Sequence, residues 1–190
     1  TQIARALGDH KYAKATDHLI AALHDSHPRV TMYAGIGLGR LKATKAFGEL
    51  IGLLERNDNK DMYVRHAAVM GITGIGSEDS LIASSEHPSA AVRLGVLLSM
   101  RRLSVSAIDS FLNDSEPSIV EEAIRAINDV VIPGAQAALA KKLEEYAPGK
   151  TFPVIDSKIK ELLQHRLINA NFYEGKKINA KRIIKYAANP

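Results

Sequence analysis

The stretch MYVRHAAVMGITGIG, residues 62–76, decides the fold of this chain. Its apolar side chains at Val64, Ala68, Ile72 and Ile75 are separated by four, four and three positions. That spacing places all four on one face of an α-helix. The stretch therefore predicts a helix whose apolar face needs a neighbour to cover it.

The same spacing recurs in three further segments, at 28–41, 90–103 and 117–130. The four segments begin 34, 28 and 27 residues apart, which leaves room for a second helix and two turns in each repeat. The matching quartets are Val30, Ala34, Leu38 and Leu41; Val92, Val96, Met100 and Leu103; and Ile119, Ala123, Ile127 and Val130. Second helices are predicted at 16–25, 47–56, 77–86 and 106–114.

A single helical pair cannot bury its own apolar face, so consecutive pairs must stack. The sequence therefore predicts an all-α fold, a right-handed α-solenoid of about six helical pairs. We expect one repeat domain over 1–190, with a truncated first repeat at 1–26, central repeats at 27–146 and an atypical C-terminal cap pair at 147–190. Because Ala4, Leu7 and Gly8 match the end of a first helix, we also expect the chain to be cut from a longer protein.

The C-terminal third departs from the repeat pattern. It predicts a helix at 135–146, a loop at 147–153, a long helix at 154–175 that ends at Gly175, and a partner helix at 179–190. Upstream, two segments share the form Asp-Ser-x-Pro, at 25–28 and 114–117. They predict turns or caps before helices that begin at a proline.

Composition excludes several classes of function. The chain has no cysteine, so it holds no disulfide, thiolate metal site, cysteine nucleophile or covalently attached c-type haem. No run of about 18 apolar residues occurs, and no membrane insertion is expected. No serine lies on a recognisable nucleophile elbow. Paired acids such as Glu121, Glu122, Glu144 and Glu145 are interpreted as solvated helix faces.

Four motifs invite a chemical interpretation, and each has a structural one that we favour. The glycines of 35–39 and 71–76 lie inside predicted helices and not in phosphate loops, which favours close helix packing. The segment NDNKD at 57–61 opens like a calcium loop but lacks the later glycine and glutamate, which favours a polar loop between repeats. His24 and His27 lack a third metal ligand at a suitable spacing. Arg65 and Arg93 are expected to pack their stems and bond carbonyls of the next repeat.

At this point a family resemblance can be stated. The segments VRHAAVMGITGIG and VRLGVLLSMRRL resemble HEAT or HEAT-like repeats. More narrowly, YVRHAAVMGI, EHPSAAVRLGVLLSMRRL, RAINDVVIP and HRLINANFYEG resemble the HEAT segment of large bacterial exported proteins. Those proteins pair a dehydrogenase-like β-propeller with HEAT repeats and a c-type cytochrome domain. The resemblance implies a periplasmic or extracellular location and partners that are domains of the same parent chain.

The uneven distribution of charge along the sequence indicates one candidate binding site. Residues 158–190 hold eight Lys or Arg against two Glu, a balance of +6, although the whole chain carries only +4. The residues predicted to contact a partner are Lys176, Lys177, Lys181, Arg182 and Lys185. An acidic protein surface and a merely solvated cap both remain open, and a nucleic acid ranks below them. The second helices are expected to line the concave face with Asp17, His18, Glu49, Asp79 and Asp109.

The sequence thus predicts a non-catalytic scaffold or protein-interaction module with no catalytic, cofactor or metal site. If the resemblance holds, the module spaces a dehydrogenase-like domain and a cytochrome domain in an exported protein. The alternative is a nucleic-acid-binding solenoid that uses the basic C-terminal helices, as HEAT-like alkylpurine DNA glycosylases bind DNA. An enzyme whose site is assembled from distant residues ranks third.

Overall fold

The computed structural model describes residues 2–10, 12–142, 144 and 157–188. Within these residues the regular structure is entirely helical, which confirms the predicted all-α fold. Apart from short 3₁₀ helices at 13–15, 44–46 and 133–135, the helices of these residues alternate along the chain as six first and second helices, in agreement with the prediction. In chain order the pairs are α1 (Gln2–Asp9) and α2 (Thr16–Ala22); α3 (Pro28–Arg40) and α4 (Phe47–Asn57); α5 (Met62–Ile75) and α6 (Glu78–Ala83); α7 (Ala90–Leu103) and a 3₁₀ helix (Ser106–Asn113); α8 (Pro117–Val130) and α9 (Gln136–Lys142); and α10 (Ser157–Glu174) and α11 (Lys177–Ala187).

The chain forms two compact units, residues 1–103 and 104–190. In the first unit, α1, α3, α5 and α7 contact one another in that order, and α2, α4 and α6 each pack on the first helix that follows. Helix α4 also reaches α7, so it contacts two later first helices. First helices that stack in chain order, each covered by second helices, are the packing pattern of an α-solenoid. The single domain and the right-handed superhelix of the sequence analysis stay predictions.

The first three positions of each quartet form the core, and the fourth does not. Of these twelve side chains all are buried except Val30, which is half-buried. At the fourth position, however, Leu103 is 37% exposed and Val130 is 40% exposed. Both are the last residues of their helices, where the chain turns away and covers a side chain from one direction only. The prediction of four buried positions was therefore wrong at the helix ends.

Glycines let the first helices of the first unit approach backbone to backbone. A Cβ atom at Gly8 would lie 2.6 Å from the Cα atom of Gly37, and one at Gly74 would lie 2.4 Å from the carbonyl oxygen of Gly39. Such distances leave no space for a side chain. The prediction that the glycines of 35–39 and 71–76 lie inside helices and serve close packing is confirmed within α3 and α5. It was wrong for Gly76, which ends α5 with a left-handed φ of +69°.

The two Asp-Ser-x-Pro segments form the same turn. Asp25 Oδ1 accepts a hydrogen bond from the backbone N–H of His27 at 2.8 Å, and Asp114 Oδ1 accepts one from that of Glu116 at 2.8 Å. Neither His27 nor Glu116, the residues that precede α3 and α8, caps its helix with a side chain. The aspartates are thus turn residues, and Pro28 and Pro117 begin the helices.

Several second helices are shorter than predicted. α6 ends at Ala83, because the hydroxyls of Ser84 and Ser85 bond back to backbone carbonyls at its end. Residues 106–113 form a 3₁₀ helix in place of an α-helix. The predicted loop at 147–153 lies outside the described residues. At the C-terminus, α10 ends before Gly175, which adopts the left-handed φ of +60°, and α11 begins at Lys177, two residues earlier than predicted.

Polar side chains join the helices of the second unit. Asn171 is buried on α10 and donates from its amide to the carbonyls of Ala140 at 2.9 Å and Leu167 at 2.8 Å. Arg166 holds Asp129 of α8 in a two-point ion pair, with Nε–Oδ1 and Nη2–Oδ2 distances of 2.9 and 3.1 Å. The phrases RAINDV and INANF that carried the narrower resemblance therefore contain residues that join α8, α9 and α10.

Candidate partner-binding surface

His24, His27 and the loop at 57–61 are not part of any group of three metal ligands among the described residues. His24 Nε2 lies 3.2 Å from Glu49 Oε2, and His27 Nδ1 lies 3.7 Å from Asp25 Oδ1. Across the part of the chain that the structure describes, no three His, Asp or Glu side chains converge as a metal site would require. Within the same residues, no helix has the length and apolar character needed to cross a membrane.

The loop at 57–61 connects two repeats. The side chain of Asn57 donates to the carbonyl of Asp61 at 3.0 Å and accepts from its N–H at 3.2 Å, which closes the loop. Asp61 Oδ1 then accepts from the N–H groups of Tyr63 at 2.7 Å and Val64 at 3.2 Å and so caps α5. The prediction of a polar inter-repeat loop is confirmed.

The arginines and glutamates of the repeats differ in part from the predictions. Arg93 bonds carbonyls as predicted, among them those of His87 and Pro88 in the loop before its own helix, at 2.9 and 3.0 Å. Glu122 is buried and pairs with Arg125, so its prediction as a solvated acid was wrong. Burial raises the pKa of the neighbouring Glu121, an effect that the charge of Arg125 partly opposes. Glu145 lies outside the described residues.

Helix α11 carries four of the five predicted partner-binding residues, and Lys176 immediately precedes it. Its inner side is formed by the buried Asn179 and the half-buried Ile183 and Tyr186. At 100° per residue, the opposite side holds five other side chains. We call this set the α11 outer face: Lys177, Ile178, Lys181, Ile184 and Lys185.

Two of the predicted basic residues are engaged within the protein. Lys176 Nζ lies 2.7 Å from Glu174 Oε2. Arg182 is largely covered, and it donates to Glu144 Oε1 at 2.5 Å and to Asn179 Oδ1 at 3.1 Å. The hydrogen bond from Arg182 lowers the pKa of Glu144, with smaller contributions from neighbouring positive charges. Arg182 thus ties α11 to Glu144, whereas Lys176 is largely exposed in its pair with Glu174. That Lys176 and Arg182 contact a partner stays a prediction.

The lysines of the α11 outer face are arranged differently. Lys177 and Lys181 are exposed, and neither forms an ion pair or side-chain hydrogen bond with the described residues. Lys185 is also exposed, and its charge acts on Glu144. Two isoleucines that were not predicted to contact a partner lie between these lysines, and both are exposed: Ile184 to 68% and Ile178 to 52%. The helical period of the sequence alone would have placed both isoleucines on the same helix face as the lysines.

The predicted concave-face residues are spread over the second helices. Asp17, His18 and Asp79 are exposed, whereas Glu49 and Asp109 are half-buried. Some of them link neighbouring repeats: Asp17 accepts from Lys45 Nζ at 2.6 Å, in addition to the contact of His24 with Glu49. An ion pair as exposed as that of Asp17 with Lys45 contributes about 0–1 kcal/mol.

Comparison with known proteins identifies part of this architecture. Residues 16–83 match the family of HEAT repeats. This range covers α2 to α6 and includes the close approach of α3 and α5 at Gly39 and Gly74. No curated protein matches the chain. The family match and the helical pairs together support a HEAT-repeat protein.

Proposed function

We propose that this chain is a protein-interaction scaffold whose α11 outer face binds an acidic surface. HEAT repeats are commonly scaffolds of this kind, and all-helical repeat folds are typically non-catalytic. The observation that carries the proposal is Ile184, which is 68% exposed on a face where Lys177 and Lys181 lack ion-pair partners among the described residues. An exposed apolar side chain on the same helix face as two lysines without ion-pair partners among the described residues has the composition of a protein interface.

The two kinds of side chain have separate roles in this interface. Burying an isoleucine against a partner stabilises a complex by about 1.5–3 kcal/mol, less the cost of association. The lysines speed the encounter with an acidic surface and select it over a basic one. Ile184 therefore accounts for affinity, and Lys177 and Lys181 account for choice of partner.

The finer assignment is that the acidic surface belongs to a domain of the same parent chain. On this proposal, the repeats space a dehydrogenase-like domain and a cytochrome domain in an exported bacterial protein. Its support is the resemblance of the repeat segments to such proteins, together with the placement of positive charge at one end of the chain.

Zero-length carbodiimide crosslinking of the parent protein tests the proposal, because it joins lysines only to carboxylates in direct contact. We expect crosslinks from Lys177 and Lys181 to aspartates or glutamates of another domain, weakened by salt and by Ile184→Asp. Lys14→Glu, an exposed change in the first unit, is the matched control and should leave them unchanged.

Two results would contradict the proposal. Crosslinks that avoid Lys177 and Lys181 would place the interface elsewhere. Micromolar binding of duplex DNA at low salt that is lost on changing Lys177 and Lys181 to glutamate would favour the nucleic-acid alternative.

A further inference from the structure

A polar pocket of about 300 Å³ lies in the second unit, between the 3₁₀ helix Ser106–Asn113 and α9. These are the second members of consecutive helical pairs, so the pocket belongs to the row of second helices and not to the α11 outer face. Its polar lining comprises Asp109, Ser110, Asn113, Lys141 and Lys142.

Lys142 places a fixed positive charge in the wall of this pocket. The residue is only 8% exposed, and its Nζ donates to Asn113 Oδ1 at 2.8 Å. A charge held in a largely buried position acts more strongly on its surroundings than one that moves freely in water. Two lysines, Lys141 and Lys142, face one carboxylate, Asp109, in the lining, so the balance of charge at the pocket favours an anionic group.

Two further side chains supply hydrogen-bond donors. Since Oδ1 of Asn113 accepts from Lys142, the amide nitrogen of Asn113 keeps its two N–H donors, and no described residue accepts from them. Lys141 is exposed and has no side-chain hydrogen bond or ion pair among the described residues, although its charge also acts on Glu144. A carboxylate, with two oxygens that accept from separate donors, matches this pair.

The remaining lining groups are acceptors. The hydroxyl of Ser110 donates to the carbonyl of Ala107 at 2.9 Å, which leaves its oxygen as an acceptor. Asp109 contributes a carboxylate. A bare anion gains nothing from these two groups, whereas a peptide segment that carries an acidic side chain also offers backbone N–H donors.

We propose that this pocket binds an aspartate or glutamate of an extended partner segment. Asn113 and Lys141 donate to the carboxylate, Lys142 supplies the fixed charge, and Asp109 and Ser110 accept backbone N–H groups of the same segment. This site goes beyond the proposed function, since it involves the second helices and a peptide, and does not depend on α11.

The test uses the full chain and a fluorescent peptide, acetyl-Gly-Glu-Ala-Glu-Gly-amide, with its glutamine analogue as the uncharged control. Fluorescence anisotropy at low salt is expected to show binding of the glutamate peptide and little of the analogue. Asn113→Ala and Lys141→Gln should each weaken binding by about three- to tenfold, the effect of losing one charge-assisted hydrogen bond. Lys141→Gln changes an exposed side chain that forms no hydrogen bond or ion pair with the described residues, so it should melt like the parent chain. Asn113→Ala also removes an acceptor of Lys142, so its binding is compared at a temperature well below its measured melting point.

Lys177→Gln separates this site from the α11 outer face, and it is expected to leave peptide affinity unchanged. Peptide binding that falls with Lys177→Gln but not with Asn113→Ala or Lys141→Gln would overturn the pocket while leaving the proposed function intact. Equal affinity for the glutamine analogue would also overturn it. Inorganic phosphate that displaces the peptide at equal concentration would show that the peptide backbone is not recognised, and would refute the assignment.

Discussion

Gly39 and Gly74 lie where α3 and α5 approach most closely. A Cβ at Gly39 would be 2.6 Å from the carbonyl oxygen of Met70, and one at Gly74 would be 2.4 Å from the carbonyl oxygen of Gly39. Backbone atoms cannot rotate aside, so either methyl group would push the helices apart. We expect Gly39→Ala and Gly74→Ala each to lower the free energy of unfolding by about 1–3 kcal/mol, measured by urea denaturation.

Gly48 provides the matched control for this prediction. It also lies in a helix of the first unit, α4, but a Cβ there would have no atom within 4 Å. Gly48→Ala should therefore show only the gain in helix propensity, up to about 1 kcal/mol of added stability. An unchanged urea midpoint for both Gly39→Ala and Gly74→Ala would mean that the close contact of α3 and α5 is not as described.

The residue scale also shows what a periodic pattern can and cannot predict. The spacing of the quartets correctly identified the buried faces, because three turns of a helix keep one orientation toward a neighbour. Met100 is fully buried as predicted, whereas Leu103, in the same quartet, is exposed. Helical period fixes the direction of a side chain, but the extent of the neighbouring helix decides whether anything covers it.

At the scale of elements, the first helices could be predicted better than the second. First helices such as α5 and α8 are long and periodic, so their positions follow from the sequence. The second helices are shorter, and local hydroxyl groups and tight turns decide their form. Residues 106–113 carry an apolar pattern that fits either helix type, and the 3₁₀ form depends on tertiary packing that the sequence does not display.

The candidate site was likewise predicted in part. Counting charges was enough to locate the basic C-terminal helix. The pairing of Arg182 with Glu144 joins residues 38 positions apart, so it depends on how α11 packs and not on any local motif. Only the structure shows that Arg182 holds the helix while the lysines of the α11 outer face point away from the protein.

The contact between Arg182 and Glu144 predicts how the docking of α11 depends on pH. Because the hydrogen bond from Arg182 lowers the folded-state pKa of Glu144, the contact stabilises the fold fully above the pKa of the unfolded state, about 4.3. That stabilisation is lost as the pH falls through the lowered folded-state pKa. Amide hydrogen exchange of α11 measured between pH 7 and pH 3 should show protection decreasing at the acidic end.

Glu144→Gln is the comparison variant, since it cannot ionise. It should lose protection of α11 at pH 7 and show a weaker pH dependence than the parent chain. The side chain of Glu144 is 49% exposed, so the effect should be small, within about 1 kcal/mol. Identical pH profiles for the two proteins would show that this ion pair does not help to hold α11.

At the scale of the whole molecule, the division into units at residue 103 is consistent with nearest-neighbour stacking. In a repeat protein, stability is approximately the sum of each repeat and its contacts with adjacent repeats, so a run of complete repeats can fold without the remainder. The first unit contains fully buried residues from three of its helices: Leu38 on α3, Leu50 on α4 and Ile72 on α5.

We therefore expect the fragment 1–103 to fold alone, with a helical circular dichroism spectrum and one cooperative urea transition. The shorter fragment 1–61 keeps α3 and α4 but removes α5, and with it the backbone contact at Gly39 and the helix against which α4 packs. Its helices would expose their apolar faces, so it should show little helix and no cooperative transition. Equal helicity per residue in the two fragments would mean that stacking between first helices does not hold the unit together, and an unfolded 1–103 would show that its repeats need residues 104–190.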